Sequence, residues 1–420
     1  FRQGLCATDS ILDLISSIED ARARRQTTLA IFLDVEKAFD TVNVGSILRR
    51  LTFMGITGRI QTFLANFLSG RQFQVRLGTT LSSIHGKTRV LPQGKILSPM
   101  LFNLAMTGLP QQIPRGPIRV NCSIYADDVC LWASHLRRDI LRRSLQPAIT
   151  SVQLYVATVG LEISVSKTAY MFFPHIQRRS CPNIDLYLGV TTIRRVTTYR
   201  FLGATLDTRL QGKPQVDAIA TASTKFTNAV CRLGGQSWGN SPSSVILLHD
   251  TTVMGRMLYA LPYAKTSNTQ MLRLERIQRQ GIRMALGVPR ATSNEKVYCE
   301  SDILPLPLRI TRNLMQQLIR LHKSIPGTDL IRRLAERTES RFNRLLRTVC
   351  FLDPLLRSTK PPAYVDYPPW RQHKFLYQEH LPGMCRKKDT PDIVLQRVAE
   401  KAIALLYPEA LRIYTGGSVH

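Results

Sequence analysis

The sequence predicts an α+β chain whose first half gathers short strands around acidic residues and whose second half is mainly helical. Three observations lead there. Apolar runs of strand length at 29–35, 118–124 and 129–133 contain or flank aspartates. The segments between them carry apolar residues at spacings of three and four, the period of a helix packed on one face. From residue 213 onward the helical period takes over. At roughly 100–200 residues per domain, the 420 residues imply two to four domains and a sizeable core.

Residues 8–25 read as a helix: Thr8 or Asp9 can cap it, and Ile11, Leu14, Ile15 and Ile18 share a face. The run 29–35 has the unbroken apolar pattern of a buried strand. A helix is expected from about Asp40 and another over 57–69, stopped by Gly70. Alternation over 71–91, with Gly78 and Gly86 as turn signals, predicts a hairpin. Ser98-Pro99 begins a helix over 97–108. The runs 118–124 and 129–133 flank Tyr125-Ala126-Asp127-Asp128 as strand, turn and strand. A helix is expected over 139–159, then short strands and turns over 161–206.

Beyond 213, Val216, Ile219, Ser223, Phe226, Val230 and Leu233 form one stripe. Between 270 and 286, Leu274, Ile277 and Met284 form an apolar stripe, and Arg276, Arg279 and Arg283 a basic one. A basic stripe alone is as readily a solvated helix face as a binding surface. A proline-rich stretch over 353–369 reads as a linker or irregular connection.

Composition narrows the function. With 57 Lys+Arg against 29 Asp+Glu, the formal net charge is +28. Residues 271–350 alone hold 16 basic against 7 acidic side chains. Such a surface attracts polyanions, nucleic acid first. A membrane is disfavoured, because no apolar run approaches the ~18–20 residues of a spanning helix. The eight cysteines are scattered without a CxxC pair, which argues against a zinc module or disulfide scaffold. The start at Phe1 and the stop after a strand-like segment suggest a piece of a longer protein.

Two acidic segments carry the chemistry: Asp34 at the end of a buried-type strand, with Asp40 beyond it, and Asp127-Asp128 at a predicted hairpin tip. Adjacent carboxylates beside apolar strands raise one another's pKa, and divalent cations relieve that cost. A carboxylate from each segment could hold two metals ~3.5–4 Å apart, the clamp used for in-line phosphoryl transfer. Each feature also has a plainer reading, since an Asp-Asp pair is commonly a turn and Asp34 or Asp40 could cap a helix.

The order and spacing of several segments resemble reverse transcriptases. They are Leu33-Asp34-Val35-Glu36-Lys37-Ala38-Phe39-Asp40, Leu91-Pro92-Gln93-Gly94 followed by Leu97-Ser98-Pro99-Met100-Leu101-Phe102-Asn103, and Tyr125-Ala126-Asp127-Asp128. Phe1-Arg2-Gln3-Gly4 with Thr8-Asp9, Gly160-Leu161 with Lys167, and Phe201-Leu202-Gly203 look like further motifs of that family. The set most resembles non-LTR (LINE-type, jockey-like) retrotransposon polymerases. The likeness covers residues 1–206, with a looser continuation to about 310.

The resemblance implies a right-hand polymerase palm with an antiparallel sheet, then a helical thumb and connector. Residues 1–30 would be partial fingers, 31–206 the palm with finger insertions, 207–290 the thumb, 291–410 the connector and 411–420 the truncated start of an RNase H-like domain. It implies RNA-directed DNA synthesis on an RNA template and DNA primer from dNTPs, with two Mg²⁺ ions (or Mn²⁺). Asp34, Asp127 and the Val35 carbonyl would bind metal with Asp128 in support, and Lys167 would protonate the pyrophosphate. Phe39, Gln93, Gly94 and Tyr125 would line the nucleotide site, with Phe39 excluding a 2′-hydroxyl. Arg2, Phe201, Leu202, Gly203, Arg276, Arg279 and Arg283 would contact nucleic acid. In the family an endonuclease is commonly fused to the polymerase.

Four positions depart from the pattern: the basic finger motifs that would precede Phe1, Lys95 where a small residue is usual, Ser164 where Asn is usual, and Gly416 where an RNase H carboxylate belongs. The competing readings are a silent retrotransposon relic that binds nucleic acid through the same basic surface, and a metal-dependent nuclease. For the latter no water-activating base presents itself in the sequence.

Overall fold

The computed structural model describes residues 4–36, 38–87, 91, 94–175, 183–232, 239–343, 347, 394, 397, 400 and 401. The chain divides into two units, Phe1–Pro362 and Ala363–His420. In the second unit the described residues are helical and exposed. The proline-rich stretch, Arg2, Gln93 and the segment around Gly416 lie outside the described residues.

The first unit opens with α1 (Ala7–Ala23), β1 (Thr27–Glu36), α2 (Ala38–Thr41), α3 (Val44–Phe53) and α4 (Arg59–Leu68). A two-tiered hairpin follows: β2 (Arg71–Phe73) pairs with β5 (His85–Lys87), and β3 (Arg76–Leu77) with β4 (Thr80–Leu81). Then come α5 (Leu97–Met106), α6 (Leu109–Gln112), β6 (Asn121–Tyr125), β7 (Asp128–His135) and α7 (Arg138–Thr158). Short strands fill the next stretch: β8 (Glu162–Ile163), β9 (Ala169–Phe173), β10 (Tyr187–Leu188), β11 (Thr191–Thr192), β12 (Arg194–Arg195), β13 (Thr198–Phe201) and β14 (Ala204–Asp207). The helical half holds α8 (Lys213–Cys231), α9 (Pro242–His249), α10 (Gly255–Ala260), α11 (Asn268–Leu286), α12 (Asn294–Ser301), α13 (Leu306–His322) and α14 (Ile325–Glu336). The α+β expectation holds.

One sheet organises the first half, in the order β12-β9-β1-β7-β6, with β8 added at the end of β1. All neighbours are antiparallel except β12 on β9. The central strand β1 reads as an unbroken apolar run because both its faces are covered. Leu29, Ile31, Leu33 and Val35 enter a core closed by α3, α5 and α7. Ala30 and Phe32 enter the opposite core with Trp132, Met171 and Phe173, under α1. Two-residue alternation therefore sends successive side chains into two different interiors.

The second core also receives Phe201, Leu206, Leu321, Leu330 and Leu334, so late helices close a layer that the first helix begins. Ion pairs reinforce the seam: Arg320 meets Asp9, Arg333 and Arg337 meet Asp13 (3.2 and 2.6 Å), and Arg341 meets Glu19 (2.9 Å). A third core joins α8, α10 and α11 through Val216, Ile219, Met257, Leu274 and Ile277.

The helix boundaries are set by local chemistry. In α11 the Ser267 hydroxyl and the Gln270 side chain form a capping box, and Gly287, at φ +67°, ends the helix. Two expected stripes shift. On α8, Phe226 is exposed and Thr227 is buried instead, where its hydroxyl meets His249 Nε2 at 3.3 Å. On α11, Met284 points outward.

Candidate active site

The geometry begins with the β1–β7 ladder, which places Asp34 directly across from Asp128. The β6–β7 connection is as short as two residues allow, because Tyr125 pairs with Asp128 and only Ala126 and Asp127 lie between. Ala126 takes φ +52° to make that turn. The Asp127 carbonyl accepts a hydrogen bond from the Val35 amide at 3.1 Å, which ties the turn to the end of β1. Three carboxylate-bearing residues from two distant segments thus stand at the ends of neighbouring strands.

Neighbouring backbone holds β1 in place there. The Ser164 amide donates to the Asp34 carbonyl at 2.8 Å, and Ser164 itself is buried, so the small side chain at this position fits a packed site. The Lys167 Nζ reaches Asp34 Oδ2 at 3.0 Å. That hydrogen bond, with the Asp34 charge, raises the Lys167 pKa. Asp128 is pushed up to about 6, first by desolvation and then by the charges of Asp127 and Asp34, with Lys167 opposing. Mutual repulsion of this kind is what a divalent cation relieves, and carboxylate and carbonyl oxygens are the hard donors that Mg²⁺ prefers. Among the described residues, no group of three or more His, Cys, Asp or Glu side chains is drawn together closely enough to hold an ion. The donor set fits a divalent cation in kind, with Lys167 partnering one of its oxygens.

The other expected site residues fall into two groups. Phe39, on α2, is half-buried with its ring 5.1 Å from that of Phe102. Its carbonyl accepts from the Leu91 amide at 2.8 Å, which brings Leu91 beside α2. Gly94 is exposed at φ +80°, a conformation that favours glycine. Lys95 is exposed beside it. Tyr125 is half-buried at the end of β6.

Several expected nucleic-acid contacts need correction. The Phe201 side chain is 2% exposed and packs on Phe32 at 5.3 Å, and Leu202 leans on the same core. In this motif only Gly203 is exposed. The basic stripe of α11 is interrupted too. Arg279 is buried against Glu275 at 3.2 Å, while Arg283 donates to the Thr292 carbonyl and the Asn294 side chain. Arg276 remains exposed. Arginines three and four apart share one face of a helix, and here that face meets Glu275 within α11 and Asn294 of α12.

Sequence reasoning missed Tyr199. Its ring stacks on Phe32 at 4.3 Å, its hydroxyl donates to the Lys167 carbonyl at 3.5 Å, and its pKa is pushed up to about 12 by desolvation and then by Asp128 and Asp34. Its place two residues before Phe201 on a short strand was the available signal.

Residues 2–206 match the family model of reverse transcriptase (RNA-dependent DNA polymerase). Residues 2–206 are a reverse transcriptase domain. The chain is similar to a protein named as the 115 kDa protein in type-1 retrotransposable element R1DM of Drosophila melanogaster, 27% identical over 73% of this chain and 29% of that protein. It is also similar to the RNA-directed DNA polymerase from mobile element jockey of the same species, 24% identical over 64% of this chain and 30% of the relative. The chain therefore spans under a third of the length of these relatives. Among solved structures, apo telomerase from Candida tropicalis matches 84% of this chain and 55% of its own, at 11% identity and TM-score 0.41.

The reverse transcriptase family uses divalent metal ions. Among the described residues, no helix is long and apolar enough to cross a membrane.

Proposed function

We propose that this chain is the polymerase core of a non-LTR retrotransposon reverse transcriptase, adding dNTPs to a primer 3′-hydroxyl on an RNA template. The observation that carries the reading is the convergence of Asp34, Asp127 and Asp128 at the β1 and β6–β7 ends, within a reverse transcriptase domain. Residues 31–206 act as the palm, 207–290 as the thumb and 291–410 as a connector. Residues 1–30 contribute part of the fingers, and an endonuclease belongs to the longer protein.

Asp34, Asp127 and the Val35 carbonyl would hold two Mg²⁺ ions, with Mn²⁺ as a substitute and Asp128 as support. When bound, such ions would supply neutralisation of triphosphate charge and activation of the attacking hydroxyl. Asp128, whose pKa is raised by burial and by the neighbouring carboxylates, would be held in its charged form by a cation bound beside it. Lys167 leaves Asp34 and hands a proton to the departing pyrophosphate, an acid role for a group that is charged at neutral pH. Phe39 presses against the sugar and builds a clash against a 2′-hydroxyl, with Phe102 backing the ring. Gly94 lets the backbone approach the nucleotide, beside Gln93 and Tyr125. Exposed basic side chains such as Arg276 track template–primer phosphates.

Primer extension on an oligo(dT)-primed RNA template with Mg²⁺ and dTTP, beside Asp127→Asn, tests the reading. Extension that the substitution lowers by at least about a hundredfold, with template–primer still bound, is expected. Binding without extension by the unaltered chain would instead favour the relic reading.

A further inference from the structure

We infer that Tyr259 is a positioning residue for nucleotide addition, locking the Leu202–Gly203 turn to the helical half; the inference rests on the polymerase reading. The turn between β13 and β14 holds two consecutive residues at positive φ, Leu202 at +46° and Gly203 at +82°. That pair of angles suits a two-residue hairpin, but a leucine in the first place is strained. An outside contact must therefore help hold it.

Tyr259 supplies that contact from α10. Its hydroxyl donates to the Leu202 carbonyl at 2.7 Å. Its ring lies 3.1 Å from the place a Cβ on Gly203 would occupy, so the ring closes on the turn from outside. Burial raises the Tyr259 pKa, which keeps the donor proton in place.

The same hairpin reaches the carboxylates from its other face. Phe201 and Tyr199 both pack on Phe32, two residues before Asp34, and the Tyr199 hydroxyl meets the Lys167 carbonyl. A continuous packed path thus runs from α10 through the turn and Phe32 to Asp34. Beside the turn lies a groove lined by Arg200, Gly203, Phe226, Arg256 and Tyr259, in which the Arg256 guanidinium sits 4.6 Å from the Phe226 ring centroid. Arg200 and Arg256 are both exposed there, which suits the phosphates of a nucleic-acid strand. With the turn fixed by Tyr259, a strand in that groove keeps a constant distance to the carboxylates.

Tyr259→Phe keeps the ring and removes the hydrogen bond. We expect single-nucleotide addition at saturating dNTP to slow about tenfold, because small misplacements of a reacting end are costly. Template–primer Kd should change less than about twofold, so the loss falls on kcat rather than on binding. Adding Leu202→Gly should restore the rate to within about threefold, since glycine accepts positive φ without strain. Amide exchange at Gly203–Thr205 should quicken in the single variant. An active chain whose Tyr259→Phe variant keeps its rate overturns the inference alone. So does a loss matched by equal loss of binding and not rescued, the mark of a merely structural role. An unaltered chain that adds no nucleotide overturns the polymerase reading and this inference with it.

Discussion

At Asp34 two partners compete for one carboxylate. In the structure Lys167 takes Oδ2, and in the proposed reaction a cation needs the same oxygen. The 65% exposure of the lysine side chain makes its release easy, since water screens the ammonium and weakens its hold on the carboxylate. Asp127 is the better residue for a test, because it is exposed at the tip of the turn. Asp127→Asn should remove activity without disturbing the fold, and circular dichroism beside the extension assay checks that separation. Phe39 is open to a sharper test. Phe39→Ala should lower the dNTP-over-rNTP preference by about tenfold or more, read as a ratio of kcat/KM values. An unchanged ratio would assign the ring to packing against Phe102 alone.

Among the elements, the seam between α1 and the late helices has the strongest consequences. Asp13 faces Arg333 and Arg337 from α14 and the residue after it, and the Arg337 guanidinium also donates to the Asp13 carbonyl and the Ser16 hydroxyl. Because these groups are largely out of water, removing one strands another. A double-mutant cycle of Asp13→Ala and Arg337→Ala, followed by urea unfolding, should give a coupling of about 0.5–3 kcal/mol. A coupling near zero would reduce the seam to its apolar contacts.

The contact between α9 and α11 makes a second prediction at this scale. His249 is 3% exposed and wedged where a Cβ on Gly281 would stand 2.2 Å from its Nε2. Burial pushes its pKa down to about 4 from 6.5, with Arg309 adding to the shift and Asp250 opposing it. The unfolded chain therefore takes up this proton below about pH 6.5 and the folded chain only below about 4. The associated stability is full above 6.5 and erodes as pH falls toward 4, by on the order of 3 kcal/mol. Asp128, with its raised pKa, acts in the opposite sense, so the measurement is the difference between the unaltered chain and His249→Gln. That difference should narrow with acidification, and a constant gap from pH 7 to about 4.5 would show that the imidazole is not buried neutral.

For the whole molecule the net charge of +28 governs partner binding. Template–primer affinity should fall roughly a hundredfold between about 50 and about 200 mM salt, with little dependence on template sequence. Filter binding across a salt series checks this, and a flat response would transfer affinity from phosphates to bases. Arg279, Arg320, Arg333, Arg337 and Arg341 pair with carboxylates inside the fold. The net figure already subtracts those carboxylates, so the charge left for phosphates stays close to the formal total.

The strand carrying Asp34, the tight turn at Asp127 and the switch to helices at 213 were legible in the sequence, because each depends on local apolar period and turn chemistry. So was the identity of the converging carboxylates, which sit at strand ends where the chain must reverse. Tertiary structure alone decided which face each side chain took. Period says that α11 has a basic stripe, but only α12 and Glu275 determine that Arg279 is buried while Arg276 is free to face solvent. Likewise Phe201, read as a contact residue, became core because Phe32 stands opposite it. Contacts between residues far apart in the chain leave no periodic trace in either segment, and for that reason the pairing of Tyr259 with Leu202 had to be found in three dimensions.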